Sequence, residues 1–115
     1  MRLVKYAENA LPRGAFVSEN VRVEHKEAIL KAMNYHFPAA KIILFGSRAR
    51  GTHAQGADID IAIDAGSPIK LREIARARAT VENLPVSLEI DIVDLHNIPE
   101  ELKQIILSEG IVSKA

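Results

Sequence analysis

The chain has 115 residues, 48% of them apolar and 26% charged, with fifteen basic side chains balanced by fifteen acidic ones and no cysteine. That length suits one globular domain, which buries roughly two-thirds of the surface its unfolded chain exposes. The zero net charge gives no bulk electrostatic case for a nucleic-acid partner, and the missing thiols exclude disulfides and thiolate metal sites. No stretch is apolar enough to span a membrane or to form the core of a signal peptide, so the cytoplasm is the expected compartment.

Residues 1–20 carry little pattern. Arg2 to Tyr6 suits a short strand and Pro12-Arg13-Gly14 a turn, in an extension that either packs on the surface or meets a partner. From Val21 to His36 the periodicity is helical. His25, Ala28, Ile29, Ala32, Met33 and His36 share one stripe, while Lys26, Glu27 and Lys31 point away. Phe37-Pro38 stops the helix, because proline biases the preceding residue away from helical geometry. Met33 and the two histidines read as packing residues rather than ligands. Lys41 to Phe45 is an apolar run of strand length. Gly46-Ser47 breaks it, a short helix over Arg48 to Arg50 ends at Gly51, and Thr52 to Gly56, with His53, forms a loop.

The next segment, Asp58 to Asp64, alternates. Side chains alternate across a strand, so Asp58, Asp60 and Ala62 share one face and Ile59, Ile61 and Ile63 the other. The isoleucine face needs a core. The aspartate face brings like charges together, which costs stability unless a cation lies between them. Hard oxygen ligands at this spacing suit Mg²⁺, whose shell is usually completed by waters and substrate phosphates. Just upstream, Gly46-Ser47 offers backbone N–H groups and a hydroxyl at the start of a helical turn, where glycine lets a phosphate approach closely. A nucleoside triphosphate with Mg²⁺ satisfies both features. Arg48, beside the cradle, is the better candidate for pairing with the phosphates; Arg50 reads equally well as a surface charge. Asp64, at the far end of the strand, reads as a turn or cap residue.

Ser67-Pro68 looks like a helix cap followed by proline in the first helical position, with the helix running to about Leu84. Its inner side is Leu71, Ile74, the stem of Arg78, Val81 and Leu84. Lys70, Arg72, Arg76 and Arg78 make a basic face, read as solvated, with docking of an acidic partner or acceptor strand as the lesser reading. Val86 to Val93 repeats the alternating pattern, Leu88, Ile90 and Ile92 against Glu89, Asp91 and Val93. If the two acidic strands pair, Asp91 joins Asp58 and Asp60; Glu89 has the same parity, and Asp94 falls on the other face as a loop or cap residue. Asn97 to Glu109 is the last helix, with Pro99 in its first turn and Leu102, Ile105, Ile106 and Glu109 as its stripe. Gly110 is placed to end it, and Ile111-Val112 to pack back on the body.

Gly46-Ser47, ten intervening residues and Asp58-Ile59-Asp60 resemble the signature of the polymerase-β-like nucleotidyltransferases. Phe45-Gly-Ser-Arg-Ala-Arg-Gly51 is similar to the form in the minimal, or MNT, branch, and the resemblance extends over residues 22–112. It implies the nucleotidyltransferase fold, of α/β (α+β) class, with a small mixed β-sheet and helices packed on one side. Residues 21–115 would form the catalytic domain and residues 1–20 an extension of unknown role. It further implies Mg²⁺-dependent nucleotidyl transfer, with two ions held by Asp58, Asp60 and a third carboxylate at Asp91. Gly46, Ser47 and Arg48 would hold the phosphates of the substrate, ATP. The MNT branch implies a HEPN-domain partner, a tyrosine of which would accept AMP, making this chain an antitoxin. Two alternatives stay open: an antitoxin that acts by binding, its nucleotide site vestigial, and a nucleotidyltransferase for a small-molecule or RNA acceptor. Three Phe, two Tyr and no Trp offer no base-stacking platform, which argues against direct nucleic-acid binding.

Overall fold

The computed structural model of the chain describes residues 4–5, 23–52 and 56–114. The expected turn at Pro12-Arg13-Gly14 and the loop residue His53 lie outside the described residues. In chain order the elements are β1 (Val4–Lys5), α1 (Val23–His36), β2 (Lys41–Phe45), α2 (Ser47–Arg50), β3 (Ile59–Asp64), α3 (Leu71–Glu82), β4 (Ile90–Asp94), α4 (Glu100–Glu109) and β5 (Ile111–Lys114). The strands form one sheet in the order β1-β5-β2-β3-β4. Neighbours are antiparallel except β3 and β4, which run parallel and are joined across one face by α3. The sheet is therefore mixed, as expected.

Strand alternation divides the core in two. Ile42 and Leu44 of β2, Ile59, Ile61 and Ile63 of β3 and Ile92 of β4 are buried against Ile29 and Met33 of α1 and Ile74, Ala77 and Val81 of α3. Ile42, Ile59 and Ile63 are wholly buried, and each such side chain contributes about 1.5–3 kcal/mol. The opposite face gathers Ile43, Ala62, Leu95 and Ile106, with Phe45, Val93 and Leu102 packed around them. Helices on one side thus describes α1 and α3. To that layer the structure adds α4, which brings Ile106 to the other face, the face that also carries the even-numbered acids of β3.

Several boundaries differ from the sequence reading, each for a tertiary reason. Helix α3 begins at Leu71, not at Ser67-Pro68, because the Ile69 backbone N–H donates to the buried Asp94 carboxylate at 2.7 Å and Lys70 is still extended. The shift turns Leu71 outward, 76% exposed. Strand β4 begins at Ile90 rather than Val86. Pro99 caps α4 instead of sitting in its first turn. Residues 111–114, expected only to pack on the body, form a strand inserted between β1 and β2. The expected strand near the N-terminus is present as Val4–Lys5, paired with Ile111 and Val112.

Gly110 ends α4 as anticipated, yet not through left-handed geometry, for its φ is −67°. Space is the reason. A Cβ here would lie 2.5 Å from both the Ile106 carbonyl oxygen and Ile43 Cγ2. The close passage of this backbone over β2 fixes where α4 ends and β5 begins. Gly110→Ala is expected to destabilise the fold by about 1–3 kcal/mol through overpacking, read as a lower urea midpoint with unchanged slope.

Candidate active site

The site is built where β2 gives way to α2. Phe45 is paired with Asp60 across the antiparallel β2–β3 ladder, so the next residue, Gly46, meets that aspartate. Its φ of 76° and ψ of −158° lie in a region open essentially to glycine alone. A Cβ at this position would overlap the Asp60 carboxylate. The backbone here is pressed against an acid, and no other residue type fits. The Gly46 carbonyl accepts the Ala49 and Arg50 N–H groups, each at 3.1 Å, which starts the short helix at Ser47. Gly51 closes it in left-handed conformation.

Asp58 immediately precedes β3 and is exposed, while Asp60 is half-buried. In the parallel β3–β4 ladder Asp60 lies opposite Asp91, so both project from the same face of the sheet. Asp91 is exposed rather than turned into the apolar interior. Asp60 feels both of the other acids. Burial, then the charge of Asp91, then that of Asp58 push the Asp60 carboxyl above its ordinary value, and the Arg50 guanidinium pulls it down. Glu89, the other acid of matching parity, stands just before β4 and outside the paired register. Its carbonyl instead accepts the Ile59 N–H at 2.8 Å. Asp91 is therefore the acid that the register sets beside Asp60.

These residues fit a divalent cation in donor chemistry, three hard carboxylates on two neighbouring strands and the residue that leads into one of them. Among the described residues, no three His, Asp or Glu side chains are drawn close enough to enclose an ion as they stand.

Of the two arginines, Arg48 is buried, 7% exposed. It donates from Nε and Nη2 to the Ala57 carbonyl at 3.1 and 2.9 Å. This ties the start of α2 to the residue before Asp58. Arg50 is exposed and its Nη1 lies 3.2 Å from Glu109 Oε2. Arg50 is also the cation whose field reaches Asp60, a role its sequence context did not distinguish from that of a surface charge. Glu109 was legible only as part of a helical stripe, since it lies 59 positions from its partner.

The acids read as turn and cap residues behave so. Asp64 accepts the Gly66 N–H at 3.0 Å and meets His96 Nε2 at 2.7 Å. Buried Asp94 accepts the N–H groups of Ile69 and His96. Both stand at the C-terminal ends of β3 and β4, away from Asp60 and Asp91. Met33 is fully buried and His36 bonds Thr80 Oγ1 at 2.7 Å, so these are packing residues. No described helix is long and apolar enough to cross a membrane.

A mixed sheet presenting acids from two adjacent parallel strands beside a glycine–serine turn defines a nucleotidyltransferase domain. A family model described as Polymerase beta, Nucleotidyltransferase matches residues 27–113, and the chain belongs to that family. Among solved structures, a toxin–antitoxin with AMP-PNP is 27% identical, with a TM-score of 0.63 over 74% of this chain and 68% of that one. A variant of the toxin–antitoxin MntA–HpeT is 28% identical, with a TM-score of 0.61 and the same coverage. A protein of Sulfolobus solfataricus, 17% identical over 91% of this chain and 90% of its own, shares the fold with a TM-score of 0.51. Comparison with curated proteins finds no match.

Two outcomes test this geometry. Gly46→Ala should cost about 1–3 kcal/mol, from a backbone conformation that an L side chain resists and from the displaced Asp60 carboxylate; denaturant unfolding measures it. Asp60→Asn should do the opposite at neutral pH. The folded carboxyl holds its proton more tightly than the unfolded one, so ionising it costs stability. That cost is absent below the unfolded aspartate's pKa of about 3.9 and grows as pH rises through the folded value. The melting temperature of Asp60→Asn should exceed wild type at pH 7 and converge with it at pH 3.

Proposed function

We propose that this protein is an antitoxin that moves AMP from ATP to a hydroxyl group of a toxin partner, a tyrosine of a HEPN-type protein. The observation that carries the reading is the pairing of Asp60 with Asp91, with the Gly46 backbone packed against the Asp60 carboxylate. Support for the donor and the partner is likeness to a toxin–antitoxin crystallised with AMP-PNP and to MntA–HpeT.

In nucleotidyl transfer the attacking oxygen bonds to the α-phosphorus as the bond to the bridging oxygen breaks, and pyrophosphate leaves. Asp58, Asp60 and Asp91 would hold Mg²⁺, which when bound neutralises phosphate charge and lowers the pKa of the attacking hydroxyl. Gly46 and Ser47 would receive the β- and γ-phosphates at the α2 turn. Arg48 adds positive charge there and holds Ala57, and so the approach to Asp58, in place. Asp91 lies on β4, an edge strand of the sheet, and is exposed. On that edge it is open to an incoming acceptor, able to orient its hydroxyl or take its proton.

The test is transfer of label from α-labelled ATP to a co-purified toxin partner in the presence of Mg²⁺. Labelling should fall at least about 100-fold in Asp60→Asn and in Asp91→Asn and disappear with chelator. Absence of labelling by wild type would overturn the reading. Undiminished protection of cells by an Asp58→Asn/Asp60→Asn variant would assign protection to complex formation alone.

A further inference from the structure

The two arginines of the Ser47–Arg50 turn have different fates. Arg48 is inside, two of its nitrogens given to the Ala57 carbonyl. Arg50 stands outside, at the end of the turn that Ser47 begins, and among the described residues its one side-chain partner is Glu109, at Nη1. Glu109 is itself well placed to hold something. It is the last residue of α4, and the glycine after it runs tightly over Ile43, so this end of the helix is pinned against β2. The exposed pair, 45% and 40% accessible, adds at most about 1 kcal/mol to stability. Its placement beside the acid face calls for another account.

We propose that Glu109 is a positioning residue: it holds Arg50 beside the acid site so that the guanidinium meets the outer phosphates of the bound nucleoside triphosphate. This rests on the nucleotidyl-transfer reading above. A guanidinium is a planar fork, and a carboxylate on Nη1 leaves the Nε and Nη2 donors for a phosphate. An exposed arginine otherwise samples many rotamers, and a partner that narrows them lowers the ordering cost of binding. Arg50 is then paired with Glu109, and its charge also bears on Asp60.

The experiment is titration of the full chain with Mg²⁺ and AMP-PNP, and separately with AMP, for wild type, Arg50→Ala, Glu109→Ala, Glu109→Gln and the Arg50→Ala/Glu109→Ala double variant. Arg50→Ala should weaken AMP-PNP binding about 10- to 100-fold and leave AMP binding unchanged. Glu109→Ala should weaken AMP-PNP binding about three- to fivefold, Glu109→Gln should recover part of that loss, and melting temperatures should stay near wild type. In the Arg50→Ala background, Glu109→Ala should have no further effect, since it acts through the arginine. In transfer assays the Glu109 effect should fall on KM for ATP and not on kcat. Wild-type binding that neither single variant alters, or equal Glu109→Ala losses with and without Arg50, overturns this assignment alone. A wild type that binds no triphosphate overturns it together with the nucleotidyl-transfer reading.

Discussion

The molecule depends on burial of three isoleucines. Ile59, Ile61 and Ile63 occupy alternate positions of β3 and are almost completely buried against α1 and α3. Since register slips by one residue would turn that set to the opposite face, their burial dictates where Asp58 and Asp60 point. Like charges 4 Å apart near a surface repel by about 1–4 kcal/mol. Three buried isoleucines outweigh that at about 1.5–3 kcal/mol each. The hydrophobic face thus holds the acids in an arrangement they would not choose.

The strain left over is concentrated on Asp60. It is half-buried, flanked by Asp91 and Asp58, and pressed by the Gly46 backbone. Its raised pKa expresses burial first, and then the charges of Asp91 and Asp58 that Arg50 only partly offsets. Such a site gains most from a cation, and a charge that the fold tolerates at a cost in stability is common where stability is exchanged for function. Gly46 belongs to the same arrangement. Any side chain at that position would both strain the backbone and displace the carboxylate, so glycine couples the phosphate turn to the acid strand.

Helix α4 gives the acid face its second side. Its Ile106 packs over Ile43 and Ala62, and the tight passage at Gly110 leads directly into β5 beside β2. One short segment therefore completes the sheet and delivers Glu109 to Arg50. The basic residues of the Ser47–Arg50 turn divide their work accordingly. Arg48 braces the loop into β3 from within, and Arg50 remains at the surface under the fields of Glu109 and the acid group.

The local elements and the acid face were determined by sequence alone. Lys41–Phe45 and the alternation through Asp58–Asp64 read directly as strands, because a period of two follows from the backbone whatever surrounds it. Gly46-Ser47 with Asp58 and Asp60 marked the site for the same reason: spacing within adjoining elements is local information. Only the tertiary structure decided that Asp91 rather than Glu89 lies opposite Asp60, since that follows from the register between parallel strands separated by a helix. It also decided the start of α3, where buried Asp94 captures the Ile69 N–H in place of the Ser67 cap. The strand at 111–114 and the Arg50–Glu109 pair were likewise settled in three dimensions. The first is too short to show a period, and the second joins residues 59 positions apart, beyond the reach of any pattern along the chain.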